Sequence, residues 1–190
     1  KLRKYPSIFL ILLLAISSCF LTGCVNQHPK DSKKISQGES VETMLEITDP
    51  KEKQAVLNAK AKVKALSGNP RIVATSPAVA DICDKLDLDL VGVPKSSVSK
   101  IPSRYKKVKK VGLAMSPDME IVSSLNPDWI LAPSSLETDL KPKFEELKNT
   151  EYAFLNLRSV QGMYRSAQEL GEIFGKQQEA EKMTKEFTTF

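Results

Sequence analysis

The chain has 190 residues, of which 41% are hydrophobic, and its formal net charge is +5. Most of this excess lies at the N-terminus: residues 24–190 carry 25 basic and 23 acidic residues, a net charge of +2. A nucleic-acid-binding protein shows clustered Lys and Arg over its folded part, and this composition gives no reason to expect such a partner.

The first residues have the organisation of an export signal. A basic start is followed by nine consecutive apolar residues, Ile8–Ile16. A membrane-spanning helix needs roughly 20 apolar residues, whereas the apolar region of a signal peptide has ~7–15 and is followed by small residues. We therefore predict that residues 1–23 are a signal peptide and that the protein is exported.

The apolar region ends in Leu21-Thr22-Gly23-Cys24, which resembles the bacterial lipobox. The pattern predicts cleavage before Cys24 and acylation of Cys24, so that buried acyl chains anchor the protein to a membrane. Cys19 fits the pattern loosely, but cleavage there would leave Phe20 and Leu21 in the exported chain. A plain signal peptide with an incidental cysteine is the alternative reading.

Residues 24–68 are expected to be a lipidated tether. The part up to about residue 41 is polar and poor in aromatic residues, so it has little to bury. At about 50–66, apolar residues alternate with lysines at helical spacing, which predicts a short exposed helix ahead of the main domain.

From residue 69 the pattern alternates between strands and helices. Ser76-Pro77 and Ser116-Pro117-Asp118 each read as an N-cap followed by proline and predict the starts of two helices. Strands are predicted at 71–75, 88–93, 108–111, 129–132 and 152–157. Helices are predicted at 77–86, from the Ser116-Pro117-Asp118 cap through Leu125, at 137–148 and at 159–174.

Strands that alternate with helices favour a parallel sheet. The fold class predicted is α/β, a Rossmann-like parallel-sheet lobe over residues 69–175, which is enough chain for one core. Residues 176–190 form a charged helical pattern with one apolar stripe. Because nothing after this stripe could pack against it, we expect the sequence to be the N-terminal part of a longer protein.

Two further features have ordinary readings. Cys83 shares a predicted helix face with Val79 and Ile82 and is expected to be a small buried hydrophobe. The basic run at 104–110, RYKKVKK, is expected to be a solvated loop, with contact to the wall or membrane as the alternative.

Three segments together resemble a known family: RIVATSPAVADICDKLDLDLVGVPKSS, VGLAMSPDMEIVSSLNPDWILAP and LRSVQGMYRSAQELGEIFG. They are similar to the N-terminal lobe of the helical-backbone substrate-binding lipoproteins of ABC importers, most of all to the Isd-type haem-binding lipoproteins of Gram-positive bacteria. The resemblance implies two lobes, of which the second lies beyond this sequence, and residues 176–190 as the start of the helix between them. It further implies a ligand between the lobes and an extracellular, membrane-anchored location. It also implies an ABC permease and its ATPase as partners, and we expect a monomer.

In that family a G-x-x-M pattern supplies one axial ligand of the haem iron. The matching residue is Met115, in Gly112-Leu113-Ala114-Met115. A thioether suits haem iron when it is paired with histidine, and in the family the histidine comes from the second lobe. His28, in the tether, does not match it. The alternative is that Met115 packs in a core, as methionine often does, and Met119 is expected to do so.

The resemblance also places anion and partner contacts. Helix N-termini attract anions, and by position the family's propionate-binding amides fall near Pro77 and Ala78 at the first helix start and near Ser96 and Ser97 in the second loop. Because Pro77 has no N–H, the amide of Ala78 and the hydroxyl of Ser76 are expected to replace that contact. These residues could equally serve only to start a helix and make a turn. Glu120 matches the acidic residue that family members present to the permease, although an exposed helix glutamate is also unremarkable.

Three other classes of function compete with a haem receptor. A receptor for a ferric siderophore or a corrinoid would have the same fold but no use for Met115 as an iron ligand. An enzyme is not expected, since the predicted domain has no histidine to act as a base and no G-x-S-x-G or H-E-x-x-H motif. A surface or adhesion lipoprotein without a transport role is the alternative of another class.

Overall fold

The computed structural model describes residues 45–188. The helices are α1 (Pro50–Lys64), α2 (Pro77–Lys85), α3 (Met119–Ser124), α4 (Glu137–Glu145), α5 (Val160–Phe174) and α6 (Gln177–Thr188). The strands are β1 (Ile72–Ala74), β2 (Leu90–Val93), β3 (Lys109–Lys110), β4 (Gly112–Leu113), β5 (Ser116–Pro117), β6 (Trp129–Pro133) and β7 (Glu151–Leu155).

Five of the strands form one parallel sheet in the order β3-β2-β1-β6-β7, and β4 and β5 form a separate antiparallel hairpin. The order reverses at β1, because β2 lies on one side of it and β6 on the other. The α/β class and the parallel sheet are confirmed.

Both faces of the sheet are covered by helices. On β6, Trp129 and Leu131 belong to a core shared with α1, α2, α5 and α6, whereas Ile130 and Ala132 belong to a second core with α3 and α4. This alternation follows from the two-residue period of a strand. The central strands are therefore buried on both sides, as parallel sheets require.

The predicted cap of α2 is found where expected, and Ser159, at the predicted start of α5, is also an N-cap. Ser76 has an extended backbone, and its hydroxyl oxygen accepts a hydrogen bond from Val79 N–H at 3.2 Å. Ser159 caps α5 by accepting from Gly162 N–H at 3.0 Å. Each hydroxyl satisfies one of the N–H groups that a helix start leaves without an intrahelical partner.

The prediction for Ser116 and Pro117 was wrong. These residues pair with Gly112 and Leu113 in the hairpin, and Asp118 is the N-cap of α3, since its Oδ1 accepts from Ile121 N–H at 3.0 Å. The third predicted strand, 108–111, is shortened to Lys109–Lys110 because the chain turns into this hairpin.

Helix α1 is packed on the lobe, in contrast to the exposed helix that was predicted. Val56 is buried in the larger core, and two α1 side chains form ion pairs with α5: Glu52 with Arg165, and Lys60 with Glu172 at 2.7 Å. The prediction failed because the partners of α1 lie more than 100 residues further along the chain. The division of the chain into domains remains a prediction.

Cys83 is fully buried in α2, as predicted, and burial raises the pKa of its thiol to about 12. A thiol in this environment stays protonated and unreactive.

Candidate ligand-binding site

In a parallel sheet all strands end at the same edge. The carboxyl edge is defined here as the segments that follow β1, β2, β3, β6 and β7. In open α/β sheets, ligands bind outside the carboxyl ends of the strands, near the point where the strand order reverses. That point lies between β1 and β6.

The predicted site residues follow three adjacent strands. Ser76 and Ala78 come after β1, Ser96 and Ser97 after β2, and Met115 lies in the hairpin after β3. Neighbouring strands are about 4.8 Å apart, so the bases of these three segments span roughly 10 Å. The topology thus places all five residues along one half of the carboxyl edge.

At the start of α2, Ser76 and Ala78 differ in the hydrogen-bonding groups that they can present to a ligand. Ser76 is 6% exposed; its hydroxyl caps the helix, and its carbonyl accepts from Ala80 N–H at 3.0 Å. Ala78 is exposed at the second helical position, where an N–H has no carbonyl of the helix within reach. The amide of Ala78 is therefore the group at this helix start that is presented to solvent.

The segment after β2 is joined to the hairpin by the backbone. Lys95 N–H donates to Gly112 C=O at 2.6 Å, and Val111 N–H donates to Val93 C=O at 2.9 Å. Ser96 is half-buried and its hydroxyl oxygen accepts from Ser99 N–H at 3.0 Å, which closes a turn, while Ser97 is exposed. These bonds hold the Ser96 turn beside the residues that carry Met115.

The hairpin presents Met115 at its tip. Ala114 and Met115 are the two turn residues between β4 and β5, and Asp118 N–H closes the base by donating to Val111 C=O at 2.7 Å. Gly112 has φ +96°, and a Cβ at this residue would lie 2.9 Å from the backbone nitrogen of Asp118. The pattern therefore needs glycine at position 112.

Met115 is 75% exposed, so it does not pack in a core of the described domain. Met119 is partly buried against the second core, as expected. Contact between this exposed apolar side chain and a ligand would remove apolar surface from water, which lowers the free energy. A thioether at the tip of a braced hairpin is accessible to a soft metal or an apolar ring.

The sequence did not predict two exposed apolar residues near the site. Val98, in the segment after β2, is 94% exposed, and Leu113, in β4, is 59% exposed. Isolated exposed apolar residues need no explanation. The useful signal is that they occur in the two backbone-linked segments of the carboxyl edge that also carry Ser97 and Met115.

Glu120 is exposed in the first turn of α3, directly after the hairpin. It is thus at the same edge as Met115, on the face of the sheet covered by α3. Cys24, the predicted lipid anchor, lies outside the described residues. Within residues 45–188, no three His, Cys, Asp or Glu side chains are grouped so that they could hold a metal ion.

Residues 72–189 match the periplasmic binding protein family, and the chain belongs to that family. The match begins at β1 and includes the sheet, the hairpin and α2 to α6. Helix α1 lies before it.

Among individual proteins, the chain is similar to the high-affinity heme uptake system protein IsdE of Staphylococcus aureus strain Newman. The two are 36% identical over 117 residues, which is 62% of this chain and 39% of IsdE. The chain therefore spans less than half of the length of this relative. The resemblance predicted from the sequence is confirmed.

Solved structures agree. An ABC transporter substrate-binding protein from Listeria monocytogenes is 44% identical, with a TM-score of 0.61, over 64% of this chain and 46% of that one. IsdE of S. aureus complexed with heme is 34% identical, with a TM-score of 0.60, over the same shares.

The siderophore binding protein BauB, bound to acinetobactin and ferric iron, is 24% identical over 65% of this chain and 46% of that one, with a TM-score of 0.56. An identity this low shows only that the fold is shared. The fold by itself therefore does not choose between haem and a siderophore.

Proposed function

We propose that the protein is the substrate-binding component of an ABC importer, that it captures haem at the carboxyl edge, and that it delivers haem to a permease and its ATPase for iron acquisition. The observation that carries the choice of haem is Met115, whose side chain is 75% exposed at the tip of the braced hairpin. Family membership and the likeness to IsdE support the transport role.

The proposed binding mode uses three kinds of contact. The Met115 sulfur is one axial ligand of the haem iron, and the second ligand comes from outside the described residues. Leu113 and Val98 offer apolar surface beside it, while the amides of Ala78, Ser96 and Ser97 are the candidates for the propionates. The protein binds and releases its cargo without covalent chemistry, so we propose no enzymatic activity.

Absorption spectroscopy tests the role of Met115. The full gene product without residues 1–23 is titrated with haem, as wild type, as Met115→Ala and as Leu113→Ala. Leu113 is the matched control, because it is an exposed apolar residue of the same hairpin that cannot ligate iron. We expect the wild type and the Leu113→Ala variant to share a low-spin spectrum that Met115→Ala lacks.

The same titration decides against the alternatives. Identical spectra for wild type and Met115→Ala would show that Met115 does not bind the haem iron. If the protein bound no haem but bound a ferric siderophore or a corrinoid, the sibling receptor would be the correct reading, because a siderophore already fills the iron coordination sphere. Binding of none of these would favour a surface or adhesion lipoprotein without a transport role.

We further propose that the protein is anchored to the extracellular face of a Gram-positive cell membrane through acylated Cys24. The support is the lipobox-like Leu21-Thr22-Gly23-Cys24 after a short apolar region. Within residues 45–188, no helix has the length and apolar character needed to cross a membrane. Labelled palmitate should enter the wild type and not a Cys24→Ala variant; equal labelling would refute the anchor.

A further inference from the structure

The charges of the described domain are unevenly distributed. Residues 90–117 contain six lysines, one arginine and no acidic residue, whereas residues 45–89 and 118–188 together contain 15 basic and 20 acidic residues. A domain with a net charge close to zero thus has one strongly basic segment. This segment comprises β2, β3 and the hairpin.

The basic segment forms one border of the sheet. β3 is the outermost strand on its side, and both of its residues are lysines, Lys109 and Lys110. Lys106 and Lys107 lie in the turn before β3, and Lys95 follows β2. We call these five lysines the basic edge; all are exposed except Lys110, which is half-buried.

The arginine of the segment is neutralised, but the lysines of the basic edge are not. Arg104 contacts three carboxylates, of Asp87 and Asp89 at 2.8 Å and of Asp84 at 3.8 Å. Among the described residues, none of the five lysines forms an ion pair within 4.0 Å. The positive charge at this border is therefore left for a partner.

Acidic residues limit the basic edge on one side. Asp81 and Asp84 line a depression of about 400 Å³ together with Lys100 and Lys106. The charge is concentrated along β3 and the turn before it, at the rim of the sheet.

We propose that the basic edge binds the anionic phospholipid headgroups of the membrane to which the protein is anchored; this rests on the proposed acylation of Cys24. Only 20 residues separate Cys24 from Leu45, the first described residue. Such a chain spans at most roughly 70 Å. The domain is thus kept near the bilayer, where a basic surface meets a high local concentration of headgroups.

The chemistry fits this partner. A lysine near an anionic bilayer is attracted electrostatically, the attraction fades within a Debye length, and several lysines act together. A polybasic patch also serves as a second membrane signal beside an acyl chain. The basic edge would fix the side on which the domain rests, which an acyl chain at the end of 20 residues cannot do alone.

Vesicle sedimentation tests the proposal with the anchor removed. The full gene product without residues 1–23 and with Cys24→Ser is mixed with vesicles of equal parts phosphatidylglycerol and phosphatidylcholine, or of phosphatidylcholine alone. We expect binding to the anionic vesicles only. Binding should be lost in about 1 M salt, where the Debye length is about 3 Å.

The decisive variant is Lys106→Glu/Lys107→Glu/Lys109→Glu, with Lys141→Glu/Lys143→Glu/Lys148→Glu as its matched control. All six lysines are exposed and both variants change the net charge equally, but the control lysines lie on α4 and just after it. We expect the first variant to lower binding to anionic vesicles about tenfold or more and the control to lower it much less. Thermal unfolding of both variants checks that they are folded.

Three results would overturn the proposal. Equal losses in the two variants would mean that only net charge matters. Binding to neutral vesicles would mean that the basic edge is not the cause. Retention on polyglycerol phosphate without binding to anionic vesicles would assign the basic edge to a wall polymer instead. The palmitate experiment fails or succeeds separately, because the vesicle assay uses protein without a lipid.

Discussion

Glu169 lies in the contact between α5 and α1, beside Glu52 and Arg165. Burial and the hydrogen bond with Glu52 raise the pKa of its carboxyl to about 7, and the Arg165 guanidinium opposes this shift without cancelling it. The folded protein therefore holds a proton on Glu169 more tightly than the unfolded chain, whose carboxyl titrates near 4.5.

This shift predicts a pH dependence of stability. Glu169 stabilises the fold below about pH 4.5 and loses that contribution as the pH rises through about 7. Glu169→Gln should thus flatten the stability profile between these values and raise the free energy of unfolding at pH 8 by about 1–2 kcal/mol, less than the full shift implies because water reaches part of the side chain.

Denaturant unfolding from pH 4 to pH 8 measures the effect. The control is Glu172→Gln, because Lys60 lowers the pKa of Glu172 and so stabilises the fold at neutral pH. That variant should be less stable than the wild type at pH 8. A Glu169→Gln profile parallel to that of the wild type would show that the carboxyl is not protonated in the folded state at pH 5 to 7.

At the scale of elements, the hairpin β4–β5 depends on Gly112. A Cβ there would lie 2.9 Å from Asp118 N and 3.0 Å from Ser116 O, both backbone atoms, and φ is +96°. Gly112→Ala should therefore destabilise the protein by about 1–3 kcal/mol and displace Met115.

Thermal unfolding and the haem spectrum are the two measurements for this variant. Gly68→Ala is the control, since a Cβ at Gly68 meets nothing within 4 Å. A Gly112→Ala protein with unchanged stability and an unchanged haem spectrum would mean that the hairpin adjusts without cost. In that case its geometry does not position Met115.

Local patterns predicted most elements but not the hairpin. Ser76-Pro77 and Ser116-Pro117 look alike in the sequence, yet only the first starts a helix. The difference is tertiary: Asp118 N–H bonds to Val111, and Lys95 N–H bonds to Gly112. The turn residues Ala114 and Met115 also lack the Asn-Gly or Asp-Gly signal of tight hairpins.

Local sequence patterns also do not show how α1 and the site residues contact distant parts of the chain. The helical spacing of apolar residues predicted α1, but its packing on the lobe depends on ion pairs with Arg165 and Glu172, far along the chain. The family resemblance predicted Met115 as the candidate iron ligand. Its 75% exposure follows from the hairpin and was not predicted.

At the scale of the whole molecule, we propose that Glu120 contacts the permease. It is exposed at the carboxyl edge, directly after the hairpin. Glu120→Gln should reduce uptake of labelled haem by cells several-fold, while haem binding to the purified protein stays unchanged, because the lost charge acts between two proteins.

Glu146→Gln is the matched control, since Glu146 is exposed but follows the far end of α4, away from the carboxyl edge. Uptake that falls equally in both variants would point to a general effect of surface charge. Uptake that is unchanged in Glu120→Gln would remove this residue from the docking surface.

The two borders of the sheet have a further consequence. Outer strands with free N–H and C=O groups can pair with another molecule and aggregate. Here β3 is two residues long and consists of lysines, and β7 is flanked by α1, whose Lys62 forms an ion pair with Glu151. Many copies of the domain could therefore reach a high local concentration without joining sheet to sheet.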